Sequence, residues 1–178
     1  MKGYNSKSIR NVVLLGQCGS GKTTFLESAL LESGAIKKAG EVASGSTVSD
    51  YDKMEIEKKY SINTSIVPVE WNDCKINFID APGDSDFVGE AIAGLRAAEA
   101  AVIMVNSSTG VEVGTENAWA ECEKNKTPRF LVISRKADEE PLDMAEAMKT
   151  LREQFGGALT AFTCPVKDNM NEEIKESK

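Results

Sequence analysis

The chain has no histidine among its 178 residues. That removes the side chain whose ordinary pKa lies closest to neutrality, and with it the commonest general base and metal ligand. Positive charge is in deficit: 21 Lys and Arg face 28 Asp and Glu, for a formal net charge of −7 and a pI near 4.8. An acidic surface argues against gripping a nucleic-acid backbone, which needs clustered Lys and Arg; it leaves room for one phosphate group held at a local site. No apolar run is long enough to cross a bilayer, and residues 1–10 are polar, without an apolar signal core. The four cysteines, Cys18, Cys74, Cys122 and Cys164, are scattered. Their spacing suggests neither zinc nor a disulfide framework, and cytosol is the expected compartment.

The remaining composition is that of an ordinary globular domain, 41% hydrophobic and 28% charged, with enough apolar mass for a core. Residues 11–15 (NVVLL) form a short β-branched apolar run that predicts a buried strand. After a glycine-rich turn, residues 22–33 place Phe25, Leu26, Ala29 and Leu30 on one helical face, with Gly34 as the stop. Residues 35–59 are polar and read as a long functional loop with a weak charged helix near 51–59. Residues 61–71 alternate and contain Pro68, which predicts an edge strand. A turn over 71–75 leads to a buried strand at 76–79. Further along, the pattern predicts a helix at 85–99, a strand at 101–105, a helix at 114–124 with Ala118, Trp119 and Cys122 inward, and a strand at 130–133. A helix at 141–155 stopped by Gly156, a last strand at 159–163 and a charged tail at 167–178 complete the chain. The expected division is an extension at 1–10, one domain at 11–166 and that tail. Buried strands alternating with amphipathic helices predict an α/β fold, a mostly parallel sheet covered on both faces, with ligands at the carboxyl rim.

Three strand ends carry chemistry. The first leads into Gly16-Gln17-Cys18-Gly19-Ser20-Gly21-Lys22-Thr23, then Thr24, which fits G-x-x-x-x-G-K-[ST] without a mismatch between a strand and a helix. Glycines let the backbone turn its N–H groups inward onto phosphate oxygens, and the helix N-terminus adds partial positive charge. Lys22 brings a full charge to the β and γ oxygens, and the Thr23 hydroxyl suits Mg²⁺. Cys18 is either a thiol activated by the helix N–H groups or an inert small side chain, the second being favoured. The second strand end is Asp80-Ala81-Pro82-Gly83: a carboxylate able to reach Mg²⁺ through water, and a glycine able to approach a γ-phosphate. The third is Arg135-Lys136-Ala137-Asp138. Asp138 can accept from guanine N1–H and N2–H₂, with the Lys136 stem along the purine face; the other reading is a solvated charged loop, and four residues do not choose between them.

These elements, in this order, resemble the G domain of translational GTPases of the elongation factor G type, from about Ser8 to Cys164. Residues 21–24, 111–116 and 80–83 with 86–90 carry the resemblance. It implies a P-loop, Ras-like fold, GTP and GDP with Mg²⁺ as cofactors, GTP hydrolysis, and the ribosome as partner; the absence of histidine and the presence of Asp84 make that hydrolysis slow by expectation. It further implies that Ser61 stands where the family's switch I threonine reaches Mg²⁺, beside Thr23 and Asp80. Lys22, Gly83 and Asp84 then occupy the catalytic positions, and Arg135, Lys136 and Asp138 those that read the base. The sequence departs from the family in three ways: Asp84 replaces the histidine that orients water, Ala81 a threonine, and Arg135 the asparagine that opens the base motif. The family's later insertion, its final base-contacting loop and its tRNA-contacting domains are not found, so either an excised or truncated N-terminal piece of a longer protein or a reworked sequence is expected. Two other readings remain: a nucleotide-binding or ribosome-interaction module without turnover, favoured by Asp84 and Arg135, and another P-loop enzyme such as a kinase, disfavoured because only Arg152 follows Lys136 as a candidate lid arginine.

Overall fold

A computed structural model describes residues 3–135 and 143–163, in two compact units that divide after Arg135. The first holds a five-stranded sheet of β1 (Ile9–Leu15), β2 (Ser65–Trp71), β3 (Cys74–Asp80), β4 (Ala100–Asn106) and β5 (Arg129–Ser134). The spatial order is β2-β3-β1-β4-β5, with every neighbouring pair parallel except β2 and β3. Four helices accompany it: α1 (Lys22–Glu32), α2 (Lys53–Lys58), α3 (Val88–Ala97) and α4 (Val113–Lys124).

β1 occupies the centre because its apolar run serves both faces. Leu14 packs with Leu26 and Leu30 of α1 and with Val67, Val69 and Phe78. Its neighbours Val13 and Leu15 point the other way, to Leu95 of α3, Cys122 of α4, Ile79 and Ile103. Each such side chain contributes roughly 1.5–3 kcal/mol on burial. α1 therefore covers one face and α3 with α4 the other. The parallel strands β1, β3, β4 and β5 all end at one rim, as expected, so Gly16, Asp80 and Arg135 begin their loops on the same side.

β2 and β3 form a hairpin closed by Asn72 and Asp73, with φ of +46° and +59°. Positive φ at both turn residues matches the right-handed strand twist. β2 is an edge strand, as Pro68 predicts, but it begins at Ser65 rather than 61. Residues 61–63 are withheld from the ladder because Glu55 takes the N–H groups of Ile62 and Asn63. β1 starts two residues before the predicted strand, and the predicted helix at 85–99 resolves into a 3₁₀ turn (Ser85–Phe87) followed by α3.

In the second unit, α5 (Met144–Phe155) starts at Asp143, whose carboxylate accepts from the N–H groups of Ala145 and Glu146 at 2.9 and 3.2 Å. It stops at Gly156, where φ is +100°. The strand expected at 159–163 does not form. A strand exists through its ladder, and among the described residues of this unit there is no second strand to pair with it; Phe162 is 89% exposed.

Candidate functional site

The glycine loop leaves β1 under a tight constraint. Gly16 has φ +128°, and a Cβ there would strike the Met104 carbonyl oxygen of β4. Gly19 and Gly21 also have positive φ, +77° and +93°. The resulting arch delivers the chain to α1 with Lys22 and Thr23 as its first residues, both buried; Thr24 is exposed. Lys22 Nζ donates to the Gly16 and Gln17 carbonyl oxygens, at 3.0 Å each. Two supports hold the arch from outside. The Ser134 hydroxyl at the end of β5 donates to the Ser20 carbonyl at 2.8 Å, and the Gln17 side-chain oxygen accepts the Gly114 N–H of α4 at 2.8 Å. Gln17 thus turns toward α4, and Cys18 is exposed with a free thiol.

Asp80, at the end of β3, is 1% exposed. Its Oδ2 accepts the Thr23 hydroxyl at 3.0 Å. Its Oδ1 is buried without a well-formed hydrogen bond, and the Ser49 hydroxyl lies close enough to favour the ionised carboxylate. Burial pushes the Asp80 carboxyl up to about 6, against the opposing pull of the Lys22 charge. Burial also pulls the Lys22 ammonium below its ordinary value, opposed chiefly by Asp80. Gly83 then passes over the loop: a Cβ there would strike Lys22 Nζ and sit 2.7 Å from the Cys18 amide nitrogen, so only glycine fits. Asp84 caps the 3₁₀ turn after it, its Oδ1 accepting the Asp86 N–H at 3.0 Å.

A further carboxylate arrives from the long loop. Asp50 is 5% exposed, feels the charges of Lys22 and Asp80, and accepts the Ser61 hydroxyl on Oδ1 at 2.7 Å, while its Oδ2 is buried without a partner. Burial raises the Asp50 carboxyl above the ordinary carboxylate range. Sequence reasoning missed Asp50 and Ser49; the available signal was an Asp inside the very loop read as functional. Of the three expected metal ligands, Thr23 and Asp80 are joined by a hydrogen bond, while the Ser61 hydroxyl donates to Asp50. Arg135 is exposed at the end of β5; Lys136 and Asp138 lie outside the described residues.

The site joins desolvated charges of both signs, Lys22 beside the Asp80 and Asp50 carboxylates. Residues 7–176 match the model of the elongation factor Tu GTP binding domain. The chain belongs to that family. As a GTP-binding domain of this type, it is 36% identical over 162 residues to an "Elongation factor G-like protein" of Mycobacterium tuberculosis (strain CDC 1551 / Oshkosh), covering 91% of this chain and 22% of that protein. It is 34% identical over 167 residues to "Ribosome-releasing factor 2, mitochondrial" of Drosophila melanogaster, covering 94% and 22%. A crystal structure of a protein from Thermus thermophilus superposes with a TM-score of 0.79 at 36% identity, over 84% of this chain and 22% of that one. The chain thus spans about a fifth of the length of the curated relatives it matches. Among the described residues no helix is long and apolar enough to cross a membrane.

Proposed function

We propose that this GTP-binding domain holds GTP or GDP with Mg²⁺, hydrolyses GTP slowly, and serves as the N-terminal G domain of an elongation factor G-like factor working with the ribosome in the cytoplasm. The observation that carries this reading is the pairing of buried Lys22 with the Thr23–Asp80 hydrogen bond, flanked by buried oxygens of Asp80, Asp50 and Ser49 that have no partner. A magnesium–triphosphate offers what each group lacks: anionic oxygens for Lys22 and the loop N–H groups, a cation for the carboxylates. Thr23, Ser61 and Asp80 would hold the ion. Such an ion would keep waters and take phosphate oxygens among its ligands. Bound there, it would neutralise charge building on the β and γ oxygens.

The protein's own residues supply position and charge. Lys22 draws charge toward the bond that breaks, the glycine loop fixes the phosphates, and the Gly83 backbone lies against the loop where a γ-phosphate would be sensed. With no histidine in the chain, an attacking water lacks an imidazole to orient it, and an ionised Asp84 cannot donate a hydrogen bond to it. Slow turnover follows. One observation favours the second reading, binding without useful turnover: Asp84 Oδ1 is engaged by the Asp86 N–H. For the base, Asp138 would accept from guanine, with Lys136 along the ring and Arg135 in place of an amide.

The test is titration with fluorescent GDP and ADP at fixed Mg²⁺, for wild type and Lys22→Ala, followed by single-turnover GTP hydrolysis. GDP should bind more tightly than ADP, and Lys22→Ala should weaken GDP binding at least about tenfold by removing a charge-assisted contact of about 1.5–3 kcal/mol or more. Equal GDP affinity in the two proteins would sink the phosphate-site reading, and ADP binding as tight as GDP would sink the guanine reading.

A further inference from the structure

Two buried carboxylates outside the cradle remain to be accounted for. Glu27 is 1% exposed and Glu55 2% exposed. Glu27 lies one turn beyond Thr23 on the same face of α1. Its Oε2 accepts the Gly40 N–H at 2.7 Å and its Oε1 the Val48 N–H at 2.5 Å. Both ends of the 40–48 turn are therefore fastened to the helix that carries Lys22 and Thr23. The neck of that turn is closed: a Cβ on Gly40 would strike the Ser46 carbonyl and lie 2.8 Å from the Thr47 Cα. Within it, the Glu41 N–H donates to the Ser46 hydroxyl at 2.9 Å.

Glu55 does the same for the next stretch. Its Oε1 accepts the N–H groups of Ile62 and Asn63 at 2.9 and 3.0 Å, and its Oε2 that of Asp52 at 3.2 Å. Ser49 and Asp50 stand between the two fastened turns, and Ser61 stands at the edge of the second, its hydroxyl on Asp50. The residues aimed at Lys22 and Asp80 are thus those left between two carboxylate anchors.

We propose that Glu27 is a positioning residue that sets the 40–50 stretch over the phosphate cradle, with Glu55 setting Ser61 from the other side. This rests on the nucleotide reading of the cradle, although the anchoring itself uses only protein atoms. Each carboxylate takes backbone N–H groups, while Gly40 and the Ser46 hydroxyl shape the turn between them. Because Glu27 and Thr23 share one helix, the anchored stretch moves with the phosphate loop. Mg²⁺ retention then depends on a glutamate that stands outside the expected metal positions.

The experiment has two arms. In the first, hydrogen exchange of the nucleotide-free full chain is compared for wild type, Glu27→Ala, Glu27→Gln and Glu55→Gln. Glu27→Ala should raise exchange at Gly40 and Val48 about tenfold or more, the loss expected for a hydrogen bond to a charged group. Glu27→Gln keeps one acceptor oxygen and should raise it less, and both should leave Ile62 and Asn63 protected. Glu55→Gln should show the reverse pattern. In the second arm, release of fluorescent GDP is followed against Mg²⁺ concentration. Glu27→Ala should release faster and need more Mg²⁺ for half-maximal retention, with Glu27→Gln between it and wild type. Unchanged exchange at Gly40 and Val48 in both Glu27 variants overturns the anchoring. Altered exchange with an unaltered Mg²⁺ profile overturns the positioning role. If Glu27→Ala loses protection throughout β1 as well, it has unfolded, and Glu27→Gln decides. A wild type that retains no GDP at all defeats the nucleotide reading, a failure visible apart from the exchange result.

Discussion

Replacing Asp80 by Asn should make the ligand-free protein more stable and the ligand-bound protein less so. The Asp80 carboxyl titrates at about 6 in the fold, against 3.8 for the free group. The fold thus holds a proton that the unfolded chain has already released. That contribution favours folding below about pH 4, is lost as the pH rises from about 4 to about 6, and stays lost above. A gap of about 2 units corresponds to ~3 kcal/mol, and this balance already includes the attraction of Lys22. Asparagine keeps an oxygen for the Thr23 hydroxyl and has no charge to bury. At pH 7, without Mg²⁺ or nucleotide, Asp80→Asn should unfold later by up to ~3 kcal/mol, roughly 6–12 °C in Tm for a chain of this size. Between pH 4 and 6.5 its stability should fall less steeply than that of wild type. Some slope remains, because burial raises the Asp50 carboxyl as well. With saturating Mg²⁺ and GDP the order should invert, since ligand stabilises the fold in proportion to its affinity and the variant has lost the carboxylate that draws the cation. Differential scanning fluorimetry over pH, with and without Mg·GDP, measures all of this. A ligand-free variant no more stable than wild type at pH 7 would refute the reasoning.

Three other substitutions test the cradle from different sides. Gly83→Ala drives a Cβ into Lys22 Nζ and the Cys18 amide; overpacking of about 1–3 kcal/mol should weaken GTP binding roughly tenfold in a fluorescence titration, and unchanged affinity would mean that this close approach has no part in binding. Gly114→Ala places a Cβ on the Gln17 side-chain oxygen and 2.9 Å from its Cα, so nucleotide release by stopped flow should speed up about tenfold; an unchanged rate would show the loop insensitive to its outer support. Asp84→His should raise single-turnover GTP hydrolysis, measured with and without ribosomes, while losing the cap to Asp86 at a cost of about 1 kcal/mol; slower hydrolysis under both conditions contradicts the role given to this position.

The cradle was legible because its constraints are local. Gly16, Gly19 and Gly21 are required by the turn itself, and Lys22 and Thr23 follow at fixed spacing on the next helix. Asp80 was legible because it closes a buried strand. Asp50, Ser49, Glu27 and Glu55 were not, because their roles arise only when a stretch without periodicity folds back on α1. The one signal of Glu27 was a charge on an otherwise apolar helical face. The expected strand at 159–163 rested on composition alone, without a neighbour to supply its hydrogen bonds. The late start of β2 likewise reflects Glu55, a short way upstream, taking N–H groups that propensity assigns to a ladder.

The central place of β1 fixes when the phosphate loop can take shape during folding. β1 has no partner nearby in sequence: Ile9 pairs with Lys75, and Leu15 with Ile103. The β2–β3 hairpin, turning on Asn72 and Asp73, is the one strand pair joined locally, and hairpins of this kind close within microseconds. β1 docks only by closing loops of some sixty to ninety residues, a slow step. Because Gly16 packs against Met104, a nascent chain short of β4 has the whole glycine motif in its sequence and nothing to press it into a cradle. Nucleotide can therefore report on folding: in a series of lengthening chains, binding should be absent from every chain that stops short of β4.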